Sequence, residues 1–266
     1  MKLLLAASLA VAFVGPAKPQ LFPPNEAGVT MGHIHLNVRD VEAHRKLWVE
    51  QFGAVPIERG RLQGVKIPGM LILFRRREPA GGSEGTVLDH FGLRVRNLPD
   101  VLQRWRAAGL LVQREFKGTE GFPNAYVMAP DGVKLELQQD VSLSTPAVSH
   151  HLHYYVADYG SIRDWYTKTF SLRPSHRGAH ESADVPGMNL SFQPAKAPPG
   201  MGTKGRALDH IGFEVKNLEA FCQKLEAGGV KFDVPYRKVP DVGMGIAFLT
   251  DPLGVSIELT EGLESF

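Results

Sequence analysis

The chain is written twice, and that duplication limits what it can fold into more than any other feature. MGHIHLNVRDVEAHRKLWVEQFG is answered by SHHLHYYVADYGSIRDWYTKTFS, and VKIPGMLILF by ADVPGMNLSF. TVLDHFGLRVRNLPDVLQRWRAAGL is answered by RALDHIGFEVKNLEAFCQKLEAGGV, and APDGVKLEL by DPLGVSIEL. The PGM triplet begins 35 residues after the first histidine in both copies. Self-similarity at fixed spacing marks copies of one structural unit. Residues 30–140 and 148–262 are therefore two copies of one unit, joined by a linker over 141–147.

Each copy is itself two similar modules. A module opens on an alternating strand that begins with histidine. An amphipathic helix follows, at 41–52, 98–108, 158–170 and 218–227, and then strands separated by Gly/Pro turns. Asp40 and Asp158 stand where an N-cap is expected, and Gly53, Gly109 and Gly228 near helix ends, where glycine suits a left-handed cap. Four β-α-β-β-β modules make an α+β protein.

Side chains of a strand alternate between two faces. Ile34, Leu36 and Val38 take one face of the first strand, and His33, His35 and Asn37 the other. The same parity sets His90 apart from Phe91 and Leu93, His151 and His153 from Leu152 and Tyr154, and His210 from Ile211 and Phe213. In the closing strands it sets Glu136 and Glu258 apart from the leucines and isoleucine beside them. The apolar face belongs to the helix of its own module. The other carries His33, His90 and Glu136 in one copy and His151, His210 and Glu258 in the other, with spacings of 57 and 46, then 59 and 48. A merely solvated face demands no such recurrence. Two imidazoles and a carboxylate are donors that a divalent transition metal takes, and Fe, Mn, Zn, Ni and Co all accept them.

At these residues the sequence resembles the vicinal oxygen chelate superfamily, which includes glyoxalase I, extradiol dioxygenases, methylmalonyl-CoA epimerase, fosfomycin-modifying enzymes and bleomycin-resistance proteins. HIHLNVRD, LDHFGLRV and PDGVKLEL, then HLHYYVAD, LDHIGFEV and DPLGVSIEL, carry the resemblance over about 230 of the 266 residues. It implies two tandem glyoxalase-like domains whose sheets cup a metal. It assigns the ligands half by half: His33, His90 and Glu136 in one domain, His151, His210 and Glu258 in the other. The strands LILF and NLSF offer no fourth ligand, so each site is expected to have three. Extradiol enzymes place a tyrosine ten residues before the ligand glutamate. Tyr126 stands there in the first half and Phe248 in the second, and neither preceding loop has a histidine.

A substrate with two neighbouring oxygens can chelate such a metal, which polarises a carbonyl or, if it is iron, binds O2. His35 and His153, on the ligand face two residues on, are expected near the substrate, as acid or base or as hydrogen-bonded wall. Tyr126 and Tyr155 can donate to a bound oxyanion. HRGAHESAD, with His176, His180, Glu181 and Asp184, reads as a solvated loop. His44 reads as a surface residue, Arg75, Arg76 and Arg77 as a solvated strand end, and His150 as pointing away from the metal. Cys222 reads as a small buried hydrophobe.

The rest of the sequence bounds location and partners. Met1-Lys2 precedes the apolar run LLLAASLAVAFVG and the small-residue site Gly15-Pro16-Ala17, which together read as a secretory signal over 1–17, with an extended leader over 18–29. Export to the periplasm or medium follows, with no membrane attachment after cleavage. One cysteine allows no internal disulfide. A net charge of +2 with no long basic run gives no footprint for nucleic acid. Three functions fit. The first is an exported metal-dependent isomerase, lyase or dioxygenase acting on a small molecule; the second is a metal-free binding protein of the bleomycin-resistance type; the third is an interaction protein with vestigial sites. Two repeats in one chain can close a pseudo-dimer, so monomer and homo-oligomer both fit.

Overall fold

The computed structural model describes residues 20–195 and 200–266. The expected secretory signal over 1–17 lies outside the described residues. The first module comprises β1 (Val29–Val38), α1 (Val41–Phe52), β2 (Val55–Arg59), β3 (Leu62–Ile67) and β4 (Met70–Arg76). The second comprises β5 (Leu88–Val95), α2 (Leu98–Ala107), β6 (Leu111–Lys117), β7 (Pro123–Ala129) and β8 (Val133–Gln139). The third runs through β9 (Ala147–Val156), α3 (Tyr159–Phe170), β10 (Arg173–Arg177), β11 (His180–Val185) and β12 (Met188–Pro194). The fourth runs through β13 (Leu208–Val215), α4 (Leu218–Ala227), β14 (Phe232–Val239), β15 (Met244–Thr250) and β16 (Ser256–Glu261). This is the α+β architecture of four β-α-β-β-β modules that the repeats imply.

Local chemistry fixes the helix ends. Asp40 accepts hydrogen bonds from the backbone N–H groups of Glu42 and Ala43, and Asp158 from that of Ser161. Gly53 closes α1 in the left-handed region at φ 66°. At the C-terminal end of α4 the left-handed residue is Gly229, one beyond the expected Gly228.

The modules do not pair as the repeats are written. One eight-stranded sheet has the order β14-β15-β16-β13-β1-β4-β3-β2, joining the first module to the fourth. The other has the order β10-β11-β12-β9-β5-β8-β7-β6, joining the third to the second. Each sheet thus takes one module from each repeat, through antiparallel pairs β1·β13 and β5·β9.

The helix-facing sides of both sheets share one apolar core. Trp48 of α1 stacks against Phe91 of β5 at 6.0 Å, and Phe170 of α3 meets Phe213 of β13 at 4.8 Å, so aromatic contacts cross between sheets. Cys222 is buried in this core, as expected. His44 is not a surface residue. It is fully buried beside Phe74, with Nε2 3.1 Å from Asp131 Oδ2, because its position on α1 faces the sheet. Among the described residues no helix is long and apolar enough to cross a membrane.

Two candidate metal centres

Strand register brings the chemistry together. In the first sheet His35 of β1 lies opposite His210 of β13, and His33 opposite Gly212. Gly212 lies beside Glu258 of the parallel strand β16. Glu258, Gly212 and His33 therefore form one row across three strands, with His210 and His35 in the next. The second sheet repeats the plan, with His90 opposite His153, Gly92 opposite His151, and Gly92 beside Glu136. Donor atoms of His33, His35, His210 and Glu258 lie within 4.8 Å of one another, as do those of His90, Glu136, His151 and His153.

This corrects the half-by-half grouping. His33 meets His210 and Glu258, not His90 and Glu136, because β1 pairs with β13 and not with β5. Each cluster also brings a fourth group, an imidazole, beside the three expected donors. The fourth comes from the opening strands, as His35 and His153, and not from LILF or NLSF.

Glycine makes the space. A Cβ on Gly212 would stand 2.0 Å from His33 Cε1, and one on Gly92 would stand 2.1 Å from His151 Cε1. The ligand-face residue between imidazole and carboxylate must therefore lack a side chain. This explains why the opening strands read His-x-His where their partners read His-x-Gly.

In the first cluster Glu258 Oε2 lies 3.1 Å from His33 Nε2 and 3.0 Å from His210 Nε2. His210 Nδ1 lies 2.6 Å from Asp209 Oδ1, and Asp209 Oδ2 accepts from Gly205 N at 2.7 Å and from Asn37 Nδ2 at 2.8 Å. Burial depresses the His210 imidazole, but the hydrogen bonds to Asp209 and Glu258 outweigh it and raise the pKa to about 9. Burial would raise Glu258, yet its contacts with His210 and His33 hold it well below the usual carboxylate range. Burial dominates at His33 and His35 and lowers both.

The second cluster has the same frame. His90 Nε2 is 3.1 Å from Glu136 Oε2, His151 Nε2 is 3.3 Å from it, and His90 Nδ1 is 2.6 Å from Asp89 Oδ1. Burial works against Asp89, but the His90 hydrogen bond prevails and takes it down to about 2.

Asp89 and Asp209 carry the aspartate-to-histidine support typical of metal-bound imidazoles. Sequence reasoning gave them no role. The signal was present, since both repeats read Leu-Asp-His at this point.

The donors fit a divalent transition metal. Both ring nitrogens of His35 and Nε2 of His153 are buried without a hydrogen-bond partner, and Nε2 of His151 has only its 3.3 Å contact with Glu136. Buried polar atoms left in this state cost about 1–3 kcal/mol each, a cost that a bound cation or a bound substrate would partly offset.

The two cups differ in what fills them. The first opens into a cavity of about 600 Å³ with His35, His210 and Glu258 in its wall. Leu73 faces it from β4, backed by Leu71 in the same apolar cluster, and Val239, Met244 and Ile246 continue the apolar lining. In the second cup the matching β12 positions are Asn189 and Ser191, and the space is taken by polar side chains. Arg177 donates from Nε to Ser191 Oγ at 2.7 Å, from Nη1 to Glu120 Oε2 at 3.0 Å, and from Nη2 to His153 Nδ1 at 3.4 Å. His180 is buried next to His153 and bonded to Gln193. The Glu258 side chain keeps 11% exposure and that of Glu136 only 4%.

HRGAHESAD is therefore not a solvated loop. It forms the β10·β11 pair, in which Arg177 and His180 plug the second cup while His176 and Glu181 pair at 2.9 Å nearer the surface. His150 is not among the clustered donors, as expected, although its ring packs edge-on to His151 with the two Nδ1 atoms 3.1 Å apart. Tyr126 packs edge-on to His90, and Tyr155 stacks on His153, so both tyrosines belong to the plugged cup. In the open cup Phe248 takes the position of Tyr126 beside the glutamate.

Residues 148–259 match the model of the Glyoxalase/Bleomycin resistance protein/Dioxygenase superfamily, to which this part of the chain is similar. Glyoxalase I from Zea mays superposes with a TM-score of 0.71 at 16% identity, covering 88% of this chain and 92% of that one. A candidate dioxygenase from Bacillus subtilis superposes with a TM-score of 0.68 at 12% identity, covering 92% and 86%. These likenesses establish the fold of two tandem glyoxalase-like domains. No curated protein matches the chain in sequence.

Proposed function

We propose that the protein is an exported metal-dependent enzyme whose open cup converts a small molecule able to chelate the cation through neighbouring oxygens. The observation that carries the reading is the 600 Å³ cavity that ends on His35, His210 and Glu258. His33, His210 and Glu258 are the ligands in this reading. The bound cation would act as a Lewis acid on a substrate oxygen.

His35 is the base. Among the imidazoles of this cluster it is the one left half-buried beside the cavity, and neither ring nitrogen has a partner. Burial keeps it neutral near pH 7, so it can accept a proton. The polar groups of the second cup serve a closed, structural metal site.

Proton transfer of the isomerase or lyase kind fits better than ring cleavage, because the open cup has Phe248 where the extradiol pattern has tyrosine. The test is deuterium wash-in from D2O, followed by NMR across 2-hydroxy ketones and 2-oxo acids. Metal-loaded protein should exchange the proton beside the carbonyl of at least one compound. His35→Gln should slow that exchange about 10²- to 10⁴-fold while keeping its metal. Oxygen consumption by the loaded protein, without exchange, would favour the dioxygenase reading. Export is tested by N-terminal sequencing of the mature protein, with cleavage expected after Ala17.

A further inference from the structure

The mouth of the open cup is lined by arginines. Arg75 follows Leu71 and Leu73 on the cup face of β4, beside Asn37 of β1, two positions beyond the Leu73–His35 pair. That places it about 6.6 Å further along the strand than His35. Arg237 of β14 lies opposite Ile246 of β15 and lines the same cavity. Arg61 reaches it from the turn between β2 and β3. Among the described residues none of the three has an ion pair or a side-chain hydrogen bond. Arg76 also borders the cavity but has the opposite parity and shares a second hollow with Asp40 and Glu42. Arg75 is exposed, as expected of a solvated strand end, and it also borders the cavity.

The other cup supplies an internal contrast. At the position of Arg75 it has Gln193, and its buried Arg177 is paired with Glu120. Lys134 there is held by Glu84 and Asp89. Among the described residues the one carboxylate lining the open cavity is Glu258, already engaged by His33 and His210. Three unpaired guanidinium groups thus stand above an apolar wall, with the donor cluster below. A guanidinium fork matches the oxygens of a carboxylate or phosphate.

We infer that the open cup selects amphipathic oxyanions: molecules with an apolar body against Leu73, Val239 and Met244, and a carboxylate or phosphate held by Arg61, Arg75 and Arg237. This inference rests on the reading of the open cup as the substrate site and names the substrate class it admits.

Calorimetric titration with octanoate, octyl phosphate, octan-1-ol and octylammonium tests it, on metal-loaded and on metal-stripped protein. At least one of the two anions should bind tenfold or more tightly than octanol in both forms, and octylammonium most weakly. The anion that binds better identifies the headgroup. The triple variant Arg61→Gln, Arg75→Gln, Arg237→Gln should lose tenfold or more for that anion and nothing for octanol, with metal content unchanged. The triple lysine variant should recover part of the loss. Equal binding of anions and octanol, or anion binding indifferent to the glutamine substitutions, would overturn the inference. A protein that takes up no metal yet still prefers the anion through these arginines would uphold it while removing the metal reading.

Discussion

At the scale of the residue, each imidazole differs by what holds it. His210 and His90 are gripped by aspartates one residue earlier, and those aspartates by the backbone N–H groups of Gly205 and Gly85. This fixes ring orientation and points Nε2 into the cluster. Loss of such support typically costs a metal site 10- to 100-fold in affinity. Asp209→Asn should therefore weaken metal binding in the open cup about 10- to 100-fold and leave the plugged cup unchanged. Competition with a chromophoric chelator measures both sites, and an unchanged affinity would remove Asp209 from the site. His35 has no such anchor, which leaves its nitrogens free for a substrate.

At the scale of the element, strand parity was legible and strand partnership was not. Alternation placed His33, His35, His90, His151, His153, His210, Glu136 and Glu258 on one kind of face, because period two is a local property of the backbone. Which strand lies beside which depends on contacts between distant segments, so the grouping of ligands could not be read from spacing. Gly92 and Gly212 held the missing information, since a position without a side chain belongs opposite an imidazole. HRGAHESAD misled because polarity normally signals solvent, and here it signals a polar plug. The C-terminal end of β13 carries a further consequence. Glu214 accepts hydrogen bonds from Thr260 Oγ1 at 2.8 Å and from the backbone N–H groups of Gly262 and Leu263 at 2.6 and 3.0 Å, tying the final turn to the sheet. Burial outweighs these bonds and raises its pKa from 4.5 to about 7. The folded state then binds this proton more tightly than the unfolded state. The contribution is present in full below pH 4.5 and is lost as pH rises to about 7, on the order of 3 kcal/mol. Urea unfolding across this range should show that loss in the native protein and its absence in Glu214→Gln.

At the scale of the whole molecule, two cups share one core, and each is built from both repeats. One cup is apolar, open and rimmed by unpaired cations, and the other is polar and filled. Crossed pairing means that neither centre survives on one repeat alone. Metal stoichiometry in paired variants tests this most directly. Loaded native protein should hold two equivalents. His33→Ala with His210→Ala should hold one, because both changes fall in one cup, whereas His33→Ala with His90→Ala should hold none. The reverse, one equivalent in the second pair and none in the first, would contradict the crossed architecture of the centres.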